Sequence, residues 1–317
     1  MQTCIAVHPA LVPDPLLPLL HAVQEKMIGS IRPKADNFSK EKMGGANAAA
    51  YHLSAGGQRV RAKMALHAGL AVGLSTTNVI TIAATAELLH NASLIHDDIQ
   101  DRDEVRRGKE AVWVRFGVNT AICAGDLLLS AAHATICQLD DSGAVANLIL
   151  LMHERVATAI EGQSADLAAG TSSFSDDATA LRRYEQIAMA KSGALLSLPL
   201  ELVLLAAGHQ NYLPQVLCAA EAFAVGYQIV DDLHDLQSDL SPRTAKNTYN
   251  IISVLEATGS LDDSIEKART LGLEKIDLAI ALAKRLPYNT GELLGDYAHQ
   301  LRTVLLGHKF EALIGGH

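Results

Sequence analysis

Apolar residues recur at steps of three and four along nearly every long segment of this 317-residue chain, as in LLPLLHAVQEKMIGSI and NLILLMHERVATAIEGQSADLAAG. This spacing places them on one face of an α-helix. Strand signals are weak, because aromatic residues make up 4% of the chain and no Asn-Gly or Asp-Gly dipeptide occurs. The pattern predicts an all-α fold, a single large helical bundle. No linker or repeat divides it, so residues 1–317 are predicted to form one domain, with residues 1–25 as an N-terminal arm or first helix.

Charge and apolar runs exclude several classes of protein. The net charge of −9 argues against a nucleic-acid binder, which needs clustered lysine and arginine to displace phosphate counterions. The N-terminus lacks the basic region of a signal peptide, so we expect a cytoplasmic protein. The run SGALLSLPLELVLLAAG is interrupted by Pro199 and Glu201 before about 18 apolar residues accumulate, which predicts that it is too short to span a membrane.

The stretch LIHDDIQDRDEVRRG, residues 94–108, places a DDxxD motif directly after an apolar helical run. Its aspartates are Asp97, Asp98 and Asp101. On a helix the first and last of them share a face, where like charges cost a few tenths of a kcal/mol, so helix stability does not explain them. A bound cation does, although a solvated acidic face remains the alternative for a single motif.

The same motif recurs in YQIVDDLHDLQSD, again after an apolar run, as Asp231, Asp232 and Asp235. The repetition suggests two facing helices whose aspartates point into one cavity, where carboxylates without a partner require a metal. Oxygen ligands select a hard ion, and Mg²⁺ commonly shares its coordination with substrate phosphate. The two clusters therefore predict Mg²⁺ and a diphosphate substrate.

Cationic residues near these clusters are candidate phosphate ligands. Arg106 and Arg107 follow Asp101 by five and six residues, so a continued helix would place them about one and a half turns farther on, within reach of phosphate. The stretch GGQRVR, residues 56–61, supplies two arginines after a glycine turn that is expected to open a helix, whose N–H groups favour anions. Lys191 is a further candidate, with a structural or solvated lysine as the alternative.

Taken together, these motifs resemble the trans-isoprenyl diphosphate synthase family, in order over roughly residues 50–260. GGQRVR is similar to the family's GGKRxR, and ELLHNASLIHDDIQDRDEVRRGK to its first aspartate-rich region. EGQSADL resembles its GQ segment, AKSGALL its lysine motif, and GYQIVDDLHD its second aspartate-rich region.

The resemblance implies a trans-prenyltransferase that joins an allylic diphosphate to isopentenyl diphosphate head to tail. Three Mg²⁺ ions would bridge the allylic diphosphate, held by Asp97, Asp98, Asp101, Asp231, Asp232 and Asp235. Catalysis would rest on electrostatic stabilisation and positioning, assisted by Arg106, Lys191 and Gln228. The residues implied to bind isopentenyl diphosphate are Arg61, His90 and Arg107.

Two departures from the family pattern concern substrate binding. Gln58 stands where the family normally has a lysine that contacts isopentenyl diphosphate, and residues 236–248 lack the usual loop rich in lysine and glycine, which leaves Arg243 and Lys246 as substitutes. An irregular prenyl coupling enzyme, or a weakly active subunit that modulates a partner synthase, fits these departures better than it fits the complete metal motifs. A class I terpene cyclase normally has an Asn/Ser/Glu motif where this chain reads DDLHD.

Product length follows from the helix that leads into the first cluster. Ser93 and Ala92 lie four and five residues before Asp97, where aromatic residues act as the floor for short products in this family. Their small size predicts a product of C20 or longer, unless Leu88 and Leu89, one turn lower, close the tunnel. Ala92→Phe is then expected to shorten the product. Family members are usually homodimers, and the same is expected here.

Overall fold

The computed structural model describes residues 15–32, 44–140, 142–169, 177–238, 249–255 and 260–307. These residues form thirteen α-helices and one pair of two-residue strands, so the prediction of an all-α fold is confirmed. The helices are α1 Leu17–Ser30, α2 Gly45–Ser54, α3 Val60–Ala71, α4 Thr76–Asp101, α5 Val112–Phe116, α6 Val118–Ile136, α7 Ser142–Ala169, α8 Asp177–Ala188, α9 Ala194–Ala206, α10 Leu213–Ser238, α11 Ile251–Leu255, α12 Leu261–Ala283 and α13 Glu292–Leu305. Residues 1–14 of the predicted N-terminal arm lie outside the described ranges.

Two helices run through the middle of the bundle. In α9 every residue from Ala194 to Leu204 is buried, and in α4 burial is continuous from Thr81 to Leu89. α4 packs against α1, α3, α6 and α9, whereas α10 packs against α9 and α12. Helices that are apolar all round are stable only when neighbours cover them, which is why these two occupy the core.

The hairpin after α4 corrects one geometric expectation. α4 ends at Asp101 because Arg102 adopts a left-handed conformation with φ of 59°. Strands β1, Val105–Arg106, and β2, Lys109–Glu110, then pair across a turn in which Arg107 and Gly108 have φ of 53° and 72°. The expectation that both arginines extend the helix by one and a half turns is therefore wrong, since left-handed residues end a helix and are typical of tight hairpin turns.

The apolar run around Pro199 is longer than its sequence suggested. A π-helical segment, Met189–Gly193, joins α8 to α9, and Pro199 lies inside α9 without ending it. Proline removes the N–H that would bond the Leu195 carbonyl, and Arg61 Nε donates to that carbonyl at 3.2 Å instead. The interruption inferred at Pro199 is therefore wrong.

By length and composition alone, three of the described helical spans are apolar enough to cross a membrane: Gly143–Ala169, Ala178–Ala206 and Gln210–His234. In the second, 78% of the most apolar window is buried within the bundle, and in the third 56%. In the first span, Gly143–Ala169, only 17% of the most apolar window is buried. Burial in the core thus explains the apolar character of the second span. The first span, which lies in α7, exposes much of its apolar surface.

Candidate active site

A cavity of about 140 Å³ lies between α4, α6, α7, the π-helical segment and α9. Asp97, Ser93 and Leu89 follow one another along α4 at one-turn intervals, and all three line the cavity. Leu129 and Val156 add apolar wall from α6 and α7. The cavity is thus polar near the end of α4 and apolar one to two turns before it.

The first aspartate cluster contains side chains in two different environments. Burial raises the pKa of Asp97 to about 6, an effect that Lys191 opposes and Asp101 reinforces. Asp98 is fully buried, and its Oδ1 accepts a hydrogen bond of 2.8 Å from Arg106 Nε and another from Arg106 Nη2. Burial also raises the pKa of Asp98, although the Arg106 hydrogen bond opposes this. Arg106 therefore contacts the middle aspartate of the motif. The sequence had predicted only a contact between this arginine and phosphate.

The second cluster repeats this division. Asp232 is buried and accepts three hydrogen bonds: 2.8 Å from the Tyr184 hydroxyl, 2.8 Å from the Ile251 backbone N–H and 2.9 Å from Gln228 Nε2. Burial raises its pKa to about 6, against the effect of these donors. Asp231 is half-buried. In each motif the middle aspartate is thus held by protein donors.

Three residues predicted for the site, one in the second cluster and two in the loop after it, lie wholly or partly outside the described structure. The backbone of Asp235 belongs to α10, but its side chain is not among those described. Arg243 and Lys246 fall in a segment outside the described residues. Among the side chains that the structure does describe, no three carboxylate, imidazole or thiol groups converge closely enough to hold one ion.

Lys191 pairs with Asp166 beside the first aspartate cluster. Its Nζ lies 2.6 Å from Asp166 Oδ2. Burial lowers the pKa of Lys191, but Asp166, Asp97 and Asp101 together outweigh burial and raise it. Asp166 also contributes, with Asp231 and Asp232, to the raised pKa of Tyr184, for which burial is the largest cause. Lys191 therefore lies within electrostatic range of the first aspartate motif, whereas its partner Asp166 acts on Tyr184 together with the second.

Gly162 explains how Lys191 comes to this position. A Cβ atom at residue 162 would lie 2.3 Å from the backbone nitrogen of Lys191 and 2.7 Å from the carbonyl carbon of Ala190. α7 therefore approaches the backbone of the π-helical segment so closely that only glycine fits at residue 162. The glycine of EGQSADL is a packing requirement of the site.

Gly162→Ala is accordingly expected to lower the free energy of unfolding by about 1 to 3 kcal/mol, because backbone must move to admit the methyl group. Urea unfolding followed by circular dichroism measures this change. The matched control is Gly29→Ala in α1, where an added Cβ has no neighbour within 4 Å. There alanine is expected to be neutral or slightly stabilising. Equal midpoints for the two variants would contradict the close-approach argument.

A second group of polar side chains is dominated by cations. Burial lowers the pKa of His90 well below its usual value, and Arg61, Arg107, His52 and Arg106 add to this effect. The three residues predicted to bind isopentenyl diphosphate, Arg61, His90 and Arg107, are therefore within electrostatic range of one another. Gln58 is half-buried in the turn that precedes α3.

The residues predicted to control product length separate into two pairs. Ser93 and Leu89 line the cavity, as described above. Ala92 and Leu88 are fully buried in the main hydrophobic core. An aromatic side chain would project into the cavity from residue 93, whereas at residue 92 it would have to displace packed core.

Four buried polar residues around the site were not found by sequence reasoning: His52, Glu87, Asn91 and Tyr184. Glu87 and Asn91 occur within the apolar run TAELLHNASLI, where a polar residue among buried neighbours indicates a required partner. His52 and Tyr184 carry no comparable signal, because their partners lie 39 and 48 residues away in the chain.

Comparison with known proteins identifies similar chains. A family model described as polyprenyl synthetase matches residues 45–253. The short chain isoprenyl diphosphate synthase of Methanothermobacter thermautotrophicus is 31% identical over 230 residues, which cover 71% of this chain and 67% of that protein. The all-trans-nonaprenyl-diphosphate synthase (geranyl-diphosphate specific) of Rhodobacter capsulatus is 30% identical over 275 residues, covering 82% and 80%.

Solved structures show the same fold. The geranylgeranyl pyrophosphate synthetase of the archaeon Geoglobus acetivorans superposes with a TM-score of 0.74 at 24% identity, covering 90% of this chain and 99% of that one. The geranylgeranyl pyrophosphate synthetase of Pyrococcus horikoshii gives a TM-score of 0.72 at 26% identity, covering 89% and 95%. The helical architecture described above is therefore shared with both.

Proposed function

The chain belongs to the polyprenyl synthetase family and is a trans-prenyltransferase, and from this premise we propose that it condenses an allylic diphosphate with isopentenyl diphosphate head to tail. The observation that carries the proposal is a single cavity lined by Asp97 and Lys191 as well as by Leu89, Leu129 and Val156. An allylic diphosphate has the matching chemistry, since an anionic group is joined directly to a hydrocarbon chain.

Mg²⁺ fits the donors of this site. Asp97, Asp101 and Asp231 are carboxylates at the ends of α4 and α10, and oxygen ligands of this kind favour a hard cation. Mg²⁺ is usually held by one or two carboxylates together with substrate phosphate, so a tight cluster of three protein ligands is not required. When bound, the ions supply positive charge that stabilises the departing diphosphate. We keep Asp235 in this proposal from its place in the motif.

Asp98 and Asp232 have a different place in the proposal. Both are buried and hydrogen-bonded to protein donors, Asp98 to Arg106 and Asp232 to Gln228, Tyr184 and Ile251. We assign to them the positioning of their motifs. Arg106 and Gln228 then act in part through these aspartates, and Lys191 supplies positive charge beside Asp97 at the cavity.

Isopentenyl diphosphate is assigned to the cationic group formed by Arg61, His90 and Arg107. The absence of a lysine at Gln58 lowers the positive charge there, and a hydrogen bond to a charged group contributes about 1.5 to 3 kcal/mol. Weaker binding of this substrate than in relatives with the lysine is therefore expected. Lys246 stays a predicted contact on the basis of its sequence position.

The test is incubation of purified protein with Mg²⁺, isopentenyl diphosphate and, separately, C5, C10 and C15 allylic diphosphates, followed by mass spectrometry. Elongated all-trans diphosphates support the proposal. Consumption of allylic diphosphate without incorporation of isopentenyl diphosphate would favour the irregular coupling enzyme. Activity that appears only with a partner synthase would favour the modulating subunit, and cyclic hydrocarbons a terpene cyclase.

We propose a product of C20 or longer from the small residue at position 93. The names of the relatives range from short chain to nonaprenyl synthases, so they do not select a length. Ser93→Phe places an aromatic ring in the cavity and is expected to shorten the main product by about one or more C5 units. Mass spectrometry of products from a C15 primer measures this.

Ser93→Ala is the matched control, since it keeps the cavity open and is expected to leave the product unchanged. Ala92→Phe is expected to destabilise the protein, because Ala92 is fully buried. A product shortened by Ala92→Phe but not by Ser93→Phe would move the floor of the tunnel to the core side of α4.

The exposed apolar surface of α6 and α7 supports a homodimer. Side chains there are 39% to 60% exposed: Val118, Ile122, Leu150, Ile160 and Leu167. We propose that this surface pairs with a second copy of the chain, which multi-angle light scattering tests.

Burial of the other apolar helices within the bundle supports a protein that does not span a membrane, and we retain the expectation of a cytoplasmic location.

A further inference from the structure

The position of Arg107 depends on contacts with two other segments. Arg107 occupies the left-handed turn between β1 and β2. Its Nη1 donates to the Gly56 carbonyl and, at 3.2 Å, to Asn91 Oδ1. A Cβ atom at Gly57 would lie 2.7 Å from the Arg107 Cζ, so the guanidinium lies against a turn that only glycine permits. Arg107 Nε is buried, and none of the described residues offers it a hydrogen-bond partner. A buried donor in this state indicates that an acceptor from outside the chain completes the site.

Asn91 is the residue that orients this guanidinium. It is fully buried on α4, and its amide nitrogen donates to the Glu87 carbonyl at 2.7 Å. Because arginine only donates, the atom that faces Arg107 must be the amide oxygen. The same oxygen lies 3.1 Å from His52 Nε2. Asn91 is thereby held on both sides of its amide group.

His52 is the second support of this arrangement. It is 3% exposed on α2, and burial, followed by the charges of Arg107 and Arg106, lowers its pKa to about 3. The ring is therefore neutral near pH 7, and the Asn91 oxygen requires its hydrogen on Nε2. His52 donates one hydrogen bond and adds no charge.

The neutrality of both residues matters for an anion site. Glu87 and Asp98 are the carboxylates that act on Arg107, against the like charges of Arg59 and Arg106. Both carboxylates already face other arginines, Arg59 and Arg106 respectively. An amide and a neutral imidazole therefore fix Arg107 without cancelling the positive charge that an incoming phosphate requires.

We propose that His52 and Asn91 are positioning residues that hold the Arg107 guanidinium toward the diphosphate of isopentenyl diphosphate. This rests on the proposed function, which assigns that substrate to Arg61, His90 and Arg107. Asp97 and Lys191 belong to the other electrostatic group, which acts on the allylic diphosphate. Loss of the His52–Asn91 pair therefore affects one substrate selectively.

Steady-state kinetics with each substrate varied in turn, together with calorimetric binding of isopentenyl diphosphate, tests the inference. Asn91→Asp keeps the shape of the side chain but pairs Arg107 with a carboxylate. The KM and Kd for isopentenyl diphosphate are expected to rise roughly 10- to 100-fold, the equivalent of one charge-assisted hydrogen bond. The KM for the allylic diphosphate is expected to stay within about twofold.

Two substitutions at His52 separate positioning from packing. His52→Phe removes the donor and is expected to raise the KM and Kd for isopentenyl diphosphate in the same way, whereas His52→Gln keeps an N–H donor and is expected to restore most of the affinity. His133→Gln, at a half-buried histidine on α6, is the control and leaves both KM values unchanged. Equal increases in both KM values, or a fall in thermal stability alone, would overturn the proposal.

Failure of the proposed function has a separate signature. If the wild-type protein binds isopentenyl diphosphate but does not elongate it, a weaker Kd in Asn91→Asp still supports positioning while the synthase proposal fails. If the wild-type protein does not bind isopentenyl diphosphate at all, the positioning inference is overturned with it.

Discussion

Replacing Glu87 with alanine is expected to lower the free energy of unfolding by about 3 to 5 kcal/mol, because it leaves the buried charge of Arg59 without its carboxylate. Glu87 Oε2 lies 3.4 Å from Arg59 Nη1, and the two side chains are 2% and 13% exposed. Glu87 Oε1 also accepts a 3.0 Å hydrogen bond from the Ala62 N–H in the first turn of α3. The side chain of Arg59, the N-cap residue of α3, makes no capping hydrogen bond. Urea unfolding with linear extrapolation measures the loss.

Two further variants identify the origin of this loss. Glu87→Gln keeps an acceptor for the Ala62 N–H but removes the charge, so a smaller loss than for alanine is expected. Asp277→Ala is the control, since Asp277 pairs with Arg302 at 2.7 Å on the surface with about half of its side chain exposed. Exposed pairs contribute about 0 to 1 kcal/mol. A loss in Glu87→Ala no larger than in Asp277→Ala would show that Arg59 finds another partner.

Asp97→Asn is expected to reduce the rate of elongation by roughly 10²- to 10³-fold without lowering stability, because the Mg²⁺ whose positive charge would stabilise the departing diphosphate loses a carboxylate ligand. The pKa of Asp97 is raised chiefly by burial, so the ionised side chain is held at a cost in the substrate-free protein. A neutral amide removes that cost. Product formation and Mg²⁺ binding by calorimetry, measured beside urea unfolding, check both halves of the expectation.

Asp98→Asn is the comparison variant for Asp97→Asn in this experiment. Asp98 is fully buried against Arg106, so its amide variant is expected to lose stability as well as activity. Asp262→Asn, in the exposed first turn of α12, is expected to change neither quantity appreciably. If Asp97→Asn unfolded as readily as Asp98→Asn, the division between metal-facing and anchoring aspartates would be wrong.

The helical class was predictable from local patterns, and so was the placement of both aspartate motifs on helices. Periodic apolar residues identify helices because burial of one face depends only on spacing within the element, and the bundle confirms this. The repeated DDxxD motif predicted a cation site between two helices; its aspartates lie toward the C-terminal ends of α4 and α10, and the cation site stays a prediction. Ser93 and Leu89 line the cavity because helical spacing from Asp97 places them on the same face of α4, whereas Ala92 and Leu88 face the core.

Other features depend on residues that are distant in sequence. The helix after Asp101 was expected to continue through Arg106, but Arg102 and Arg107 are left-handed and the chain forms a hairpin. Similarly, Pro199 was expected to interrupt its apolar run, yet α9 continues because Arg61 bonds the carbonyl that proline leaves without a partner. In both places contacts between segments outweigh local preference.

The sequence by itself determined which residue types are present for chemistry and at what helical spacing: carboxylates at i and i+4, small residues one turn earlier, and arginines nearby. Only the tertiary structure decided how they are used. It directs Asp98 to Arg106 and Asp232 to Tyr184, and it places His52 against Asn91. The reason is physical, since a buried polar group must find a partner, and its partner is chosen by the packing of helices rather than by neighbours in the chain.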